Sequence, residues 1–244
     1  MKIVSSYSTF DLAKKISKNI EKNCVEIQIQ KFSNGEMDFE IEDIYEDHVL
    51  IFFPKNDNIN EAIVEFMFMV KLCENCKIID AVIPYIPYSR QDKSKGFEMI
   101  LDLLKFLKIR KMITIDLHNS KNLDPRIINI FPHEIFGIEY QNIKDLVVVA
   151  PDIGAIERSS KFAEFLKCDL IIIDKKTGET KNIEKAKGKI CLIIDDIIDS
   201  GITLKISEDI LNKNGAKETL KCISHSEEND QNLIAKKISE VILN

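Results

Sequence analysis

The stretch "KICLIIDDIIDSGITL", Lys189 to Leu204, runs as an apolar segment into two adjacent carboxylates, Asp195 and Asp196, and then a polar turn with Asp199, Ser200, Gly201 and Thr203. A short, continuous apolar run bounded by a turn reads as a strand covered on both faces, the habit of parallel sheets. The residues that follow, "TLKISEDILNKNG", carry helical spacing. In open α/β sheets ligands sit at such a strand end, where the first helical amides point at an anion and a glycine lets the backbone approach a phosphate. Ser200 and Thr203 add hydroxyls there. Asp195 and Asp196 would repel a ligand that was only an anion. They suit one with a phosphate at one end and hydroxyls, or a metal-bound group, at the other, as in a sugar phosphate. An N-cap in a solvated acidic turn accounts for one Asp and for Ser200, but not for two adjacent aspartates after an apolar strand.

The same alternation extends through the chain in both directions. "KIVSS", "HVLIFF", "IIDAVIP", "MITID", "LVVVA" and "LIIID" read as strands, and "TFDLAKKISKNI", "INEAIVEFMFMVKL", "GFEMILDLLKFL", "GAIERSSKFAEFL" and "NLIAKKISEVIL" as helices between them. This is an α/β layout built on mainly parallel sheets. "VEIQIQKFSNGEMDFEIE" departs from it: two alternating strands around Gly35 predict a β-hairpin attached to the first sheet. Around "NIFPHEIFG", Asn129 to Gly137, the periodicity lapses and a proline appears. A boundary there gives two similar lobes, residues 1–131 and 132–244.

Composition bounds the partners. The 244 residues carry a net charge of -6, which argues against a nucleic-acid surface. No segment offers about 18 uninterrupted apolar residues, so no membrane span is expected. The opening residues lack an apolar core followed by a cleavage site, and the expected location is the cytoplasm. Six cysteines, mostly within apolar runs such as "GKICLII", are expected to be reduced. "CENC", Cys73 to Cys76, has metal-ligand or redox spacing but follows a helical run and has no second pair, so it reads as a helix end.

Four further stretches carry chemistry-bearing residues, each with a structural alternative. Arg90 follows "IPYIPYS", where a planar five-donor guanidinium suits a polyphosphate; it could equally be a surface arginine in a polar turn. His118 in "DLHNS" ends a strand, as a ligand or as a structural imidazole. Asp152 in "PDIGAIERS" lies between a strand and a helix, as a ligand or as a cap. Phe32, Asn34 and Glu36 surround Gly35 at the hairpin turn, where Phe32 has the alternative of an ordinary core residue.

The turn after Lys189–Asp196 resembles the phosphoribosyl-binding loop of the phosphoribosyltransferase superfamily. The rest of the chain narrows the resemblance to the ribose-phosphate diphosphokinase, or phosphoribosyl pyrophosphate synthetase, family. "KFSNGEMDFEI" (Lys31–Ile41), "AVIPYIPYSRQDK" (Ala81–Lys93), "ITIDLHNS" (Ile113–Ser120), "VVVAPDIGAIERS" (Val147–Ser159) and "LIIIDKK" (Leu170–Lys176) look like that family's motifs in its order, over most of the chain. The resemblance implies two phosphoribosyltransferase-like lobes, each a mainly parallel sheet flanked by helices. It implies transfer of the diphosphoryl group of magnesium ATP to the anomeric hydroxyl of ribose 5-phosphate, with Mg2+ as cofactor and a homo-oligomer of at least two chains. By matching position, Phe32, Asn34, Glu36, Arg90 and Gln91 would contact ATP, and His118 and Asp152 the metal. Asp195, Asp196, Asp199, Ser200, Gly201, Ile202 and Thr203 would bind ribose 5-phosphate, and Lys175 would be the catalytic cation.

The chain also departs from the family pattern. Where the family's catalytic loop has lysine, one residue, then arginine, this chain has Lys175, Lys176, Thr177. The segment between "SRQDK" and "DLHNS" and the arm after Lys175 are short. Two other readings therefore stand beside the synthetase: a weakly catalytic relative acting as a regulatory or binding partner, and a transferase that consumes the activated sugar.

Overall fold

Short Ile- and Val-rich runs, stiff at the β-carbon, form the strands, and the amphipathic stretches between them form the covering helices. The structure, a computed structural model, describes residues 1–244 except 42, 43, 45, 92–94, 119–123, 175, 176, 199 and 200. In chain order its elements are β1 (Lys2–Ser6), α1 (Phe10–Asn19), β2 (Cys24–Lys31), β3 (Met37–Glu40), β4 (His48–Phe52), α2 (Ile59–Leu72), β5 (Ile78–Val82), α3 (Gly96–Phe106), β6 (Met112–Ile115) and β7 (Ile127–Ile130). These are followed by α4 (Pro132–Tyr140), β8 (Leu146–Ala150), α5 (Ile156–Leu166), β9 (Asp169–Ile173), β10 (Thr180–Lys181), β11 (Ile190–Asp195), α6 (Ile202–Lys213), β12 (Glu218–Ile223) and α7 (Gln231–Leu243).

The chain divides into two units. The first contains residues Met1–Ile115, 124–129 and Asp230–Asn244, and the second Asp116–His118 and Ile130–Asn229. The first unit's sheet has the strand order β3-β2-β1-β4-β5-β6-β7, and the second unit's has β10-β9-β8-β11-β12. The two share one pattern: four parallel strands with a reversal of order in the middle, plus an antiparallel edge strand, β3 or β10. The β2–β3 pair is the predicted hairpin, in register from Gln28–Glu40 to Lys31–Met37.

Helix α4 and strands β7 and β10 are additions to the sequence reading. The proline that suggested a break sits at the first position of α4, where its missing N–H costs nothing, and Glu134 accepts from the Phe131 amide at 3.0 Å. The terminal helix α7, assigned by the sequence boundary to the second lobe, packs on α1 in the first unit. Its stripe of Ile234, Ala235 and Ile238 is buried, as are Ala13 and Ile16 of α1, and Asn19 donates to Ser239 at 3.2 Å. A helix stripe has no marker for which of two sheets it covers, so only the fold decides. Among the described residues no helix is long and apolar enough to cross a membrane. The six thiols are free, and Cys73 at the end of α2 is buried, which pushes its thiol up to about 12.

The first unit contains a polar knot around the buried Asp80. Asp80, on β5, accepts from Arg110 Nε at 2.9 Å, from a second Arg110 nitrogen, from the Lys111 amide at 3.1 Å, and lies 2.9 Å from His48 Nε2. Burial opposes the Asp80 charge, but Arg110 and His48 outweigh it and hold the carboxyl below its usual range. A depressed folded pKa gives stability that is present above the unfolded value of about 4 and lost as pH falls through the folded value. Asp80→Asn is expected to destabilise the chain by about 1–3 kcal/mol at pH 7. Urea midpoints measured at pH 7 and pH 3 should show the gap between variant and wild type closing at the acid end.

Candidate active site

Strand order in the second unit reverses between β8 and β11: the chain goes from β8 to one side, then returns to the other. At such a reversal the connections diverge and leave a crevice at the carboxyl ends of the strands. β8 leads into Asp152, whose carboxylate accepts from the Ala155 amide at 3.1 Å and caps the turn entering α5. The capping role weighed for Asp152 is thus present. β11 ends in Asp195, and the ladder to the next segment continues past it: the Ser224 and His225 amides donate to the Asp195 and Asp196 carbonyls at 3.0 and 2.9 Å. Both aspartates are therefore fixed by backbone as well as by side chain, and both are buried.

Their charges meet a buried guanidinium. The buried stripe of α5 consists of Arg158, Ser159, Phe162 and Ala163, continuing from Ala155 in the turn before it, so Arg158 occupies a slot of apolar spacing and is 4% exposed. Its Nε donates to Asp116 Oδ1 at 3.0 Å, and its Nη1 lies 3.4 Å from both Asp195 Oδ1 and Asp196 Oδ1. Asp116 follows β6 with φ +43, a left-handed conformation that Asp tolerates better than most, and its other oxygen accepts from Ser224 Oγ. His118 Nδ1 lies 2.6 Å from Asp196 Oδ2.

These contacts split two adjacent aspartates. Burial pushes Asp196 up, but the His118 hydrogen bond and the Arg158 charge outweigh it and hold the carboxyl well below the usual range. Asp195 goes the other way: burial first, then the Asp196 charge, raise it to about 7, with Asp152 adding to the pressure. A hydroxyl donor or a cation brought to Asp195 relieves that pressure. Burial likewise opposes the charge on Arg158, but the surrounding aspartates outweigh it and raise its pKa.

The loop continues into Gly201, whose φ of +72 favours glycine and which sits at the N-cap of α6. A β-carbon there would meet nothing within 4 Å, so backbone conformation and not crowding selects the residue. Ile202 opens α6 with its side chain 61% exposed, and the helix amides from Ile202 and Thr203 form its N-terminal turn. Lys175, Asp199 and Ser200 lie outside the described residues.

The first unit holds the other expected residues. At the hairpin turn Phe32 N donates to Glu36 O at 2.8 Å, Gly35 has φ +89, and Asn34 Oδ1 accepts from Glu36 N at 3.1 Å. Asn34 thus shapes the turn. Phe32 is 45% exposed and is not a core residue. It lines a surface groove of about 590 Å³ with Asn34, Glu36, Met37, Val64 and Phe68. Arg90 and Gln91 sit in the turn after β5, where Gln91 N donates to Tyr88 O at 3.1 Å, and they are not among the groove's lining. A β-carbon on Gly96 would come within 2.4 Å of Gln91 Oε1, so the Gln91 side chain lies against the start of α3.

The structure thus brings His118, Asp152, Asp195 and Asp196 to one strand edge. It adds Asp116, Arg158 and Ser224, which sequence reasoning passed over. The signals were present: an acid ending an apolar strand in "ITIDL", and an arginine in an apolar helix slot of "AIERSSKFA".

Residues 1–104 match the family model of the N-terminal domain of ribose phosphate pyrophosphokinase, and residues 125–242 match the phosphoribosyl transferase domain. A ribose-phosphate pyrophosphokinase of Bacillus subtilis (strain 168) is 34% identical over 245 residues, spanning 92% of this chain and 77% of that protein. The chain belongs to the ribose-phosphate pyrophosphokinase family. A second member, from Corynebacterium ammoniagenes, is 33% identical over 250 residues, with 92% and 77% of the two chains covered. The crystal structure of phosphoribosylpyrophosphate synthetase from Mycobacterium smegmatis superposes with a TM-score of 0.78 at 25% identity, covering 95% of this chain and 84% of that one. The expected fold, two mainly parallel sheets flanked by helices, is therefore that of a phosphoribosylpyrophosphate synthetase.

Proposed function

We propose that this chain transfers the diphosphoryl group of Mg-ATP to the anomeric hydroxyl of ribose 5-phosphate, giving phosphoribosyl pyrophosphate and AMP. The anomeric oxygen attacks the β-phosphorus, the bond from that phosphorus to the oxygen bridging it to the α-phosphorus breaks, and AMP leaves with the bridging oxygen. The hydroxyl proton passes to solvent. The observation that carries this reading is the Asp195–Asp196 pair, buried against Arg158 and His118 and followed at once by a loop with Gly201 at a helix N-terminus.

In this reading the 5-phosphate sits on the amides of Gly201, Ile202 and Thr203, with Asp199 and Ser200 completing the loop. Ring hydroxyls donate to Asp195, whose raised pKa makes it receptive to such donors. Phe32, Asn34 and Glu36 at the hairpin, with Arg90 and Gln91, hold the nucleotide. Lys175 lends positive charge to the transferring group. Transfer of this kind asks the protein chiefly for in-line positioning and preorganised charge.

The metal donors fit magnesium. No group of three or more His, Cys, Asp or Glu able to hold a metal occurs among the described residues. Mg2+ needs no such cage, since it keeps several waters and takes one or two protein ligands plus substrate phosphate. Asp152 and His118 would hold it, and with Nδ1 engaged by Asp196 the nitrogen left to His118 for a metal would be Nε2. When bound, the ion supplies charge neutralisation to the phosphate oxygens.

In this reading the chain works in the cytoplasm and as a homo-oligomer of at least two copies; the half-exposed Phe32, Val64 and Phe68, which leave an apolar groove at the hairpin, support the association. One observation favours a second reading, a binding or regulatory partner of low activity: Thr177 stands where the family has a catalytic arginine. Nucleotide analysis after incubation with Mg-ATP and ribose 5-phosphate separates them. The synthetase reading expects AMP, formed only when the sugar is present and equal in amount to the activated sugar. Binding of both substrates without AMP would support the second reading, and ADP as product would contradict both.

A further inference from the structure

We propose that Arg158 is the positioning residue of the sugar site: its guanidinium gathers Asp116, Asp195 and Asp196 so that Asp195 alone is presented to the ribose. This rests on the reading of Asp195 and Asp196 as ribose 5-phosphate residues. Successive residues of a strand point to opposite faces, so two adjacent aspartates at a strand end have no intrinsic reason to share a partner. Here both Oδ1 atoms lie 3.4 Å from one nitrogen, Arg158 Nη1. The other end of the fork, Nε, is fixed on Asp116 Oδ1 at 3.0 Å. Asp116 is itself held by Ser224 and by its amide, which donates to Ile130 O at 2.8 Å. The anchor is therefore held from two sides, and it directs the guanidinium towards the aspartate pair.

The three carboxylates end up unequal. Side-chain exposure is 2% for Asp116, 5% for Asp196 and 13% for Asp195. Asp116 serves as the anchor, Asp196 is used inward on Arg158 and His118, and Asp195, though buried, is the most exposed of the three. A lysine would supply the same charge, but as a single point that cannot hold Asp116 and the aspartate pair together. The role is one of geometry, so the charge-conserving variant is the sharp probe.

The experiment is calorimetric titration of Arg158→Lys and wild type with ribose 5-phosphate and, separately, with Mg-ATP, alongside steady-state kinetics and thermal melting. R158K should bind ribose 5-phosphate about 10- to 100-fold more weakly, with the loss in its KM, while Mg-ATP affinity changes less than about threefold. Wild-type sugar affinity in folded R158K overturns the proposal, as does an equal loss for sugar and nucleotide, which marks a general structural role. If R158K does not fold, the double variant R158M/D116N, which removes the cation together with its anchor charge, must show the same sugar-selective loss; unchanged sugar binding there overturns it. A wild-type chain that binds no ribose 5-phosphate removes the functional reading itself and this proposal with it, an outcome distinct from a failure at Arg158.

Discussion

Asp196→Asn is expected to lower kcat/KM for ribose 5-phosphate by about 10²- to 10³-fold, the loss typical of removing one preorganised charged partner from a site. Asn keeps the volume of Asp but not its charge. Asp196 is buried, hydrogen-bonded to His118 and close to Arg158, so its neutralisation takes the charged partner from both groups at once. Breaking a buried pair by removing one member costs about 3–5 kcal/mol, so the urea midpoint should fall as well. The sign of the pH dependence follows from the direction of the shift. Because Asp196 is held low in the folded chain, its contribution is present above about pH 4 and fades as pH falls further. The stability gap between wild type and variant should therefore shrink in acid. An Asp196→Asn chain with unchanged sugar kinetics at neutral pH would show that the carboxylate serves only the fold.

Lys175→Ala is the second large effect. Its place in the reaction comes from the motif "LIIIDKK", since Lys175 lies outside the described residues. We expect kcat to fall by about 10²- to 10³-fold while Mg-ATP affinity stays within a fewfold of wild type, the pattern of an interaction made only in the transition state. Thr177→Arg supplies the counterpart. If the missing guanidinium limits the rate, kcat should rise by about tenfold or more, because a planar fork matches phosphate oxygens better than the neighbouring lysine can. Parallel losses in kcat and nucleotide binding for Lys175→Ala would make Lys175 a binding residue instead.

Much of this was legible in the sequence because it rests on local chemistry. Apolar runs such as "LVVVA" and "LIIID" admit little besides buried parallel strands, and the Gly35 hairpin and the Gly201 turn need a left-handed residue that the sequence supplies. What escaped depends on contacts between distant segments. The α7 stripe looks the same whichever sheet it covers, and only the packing against Ala13 and Ile16 of α1 decides. Helix α4 escaped because a proline at the first turn of a helix and a proline in a linker look alike in one dimension, although the two units do divide close by, between Asn129 and Ile130. Arg158 was hidden for a similar reason: its partners are 42, 37 and 38 positions away, and no local pattern links them. Asn34 shows the converse. The sequence assigned it to a ligand, and its oxygen also accepts from the amide of Glu36, a task fixed by the turn.

The most direct measurement is a crystal structure of the chain with Mg2+, ribose 5-phosphate and an ATP analogue that cannot transfer its diphosphoryl group. We expect the 5-phosphate on the amides of Gly201 to Thr203, the ring hydroxyls against Asp195, His118 and Asp152 on the metal, and the anomeric oxygen in line with the β-phosphorus. Ribose 5-phosphate seated away from the β11 edge, with Asp195 turned to solvent and no anion at Gly201, would contradict it.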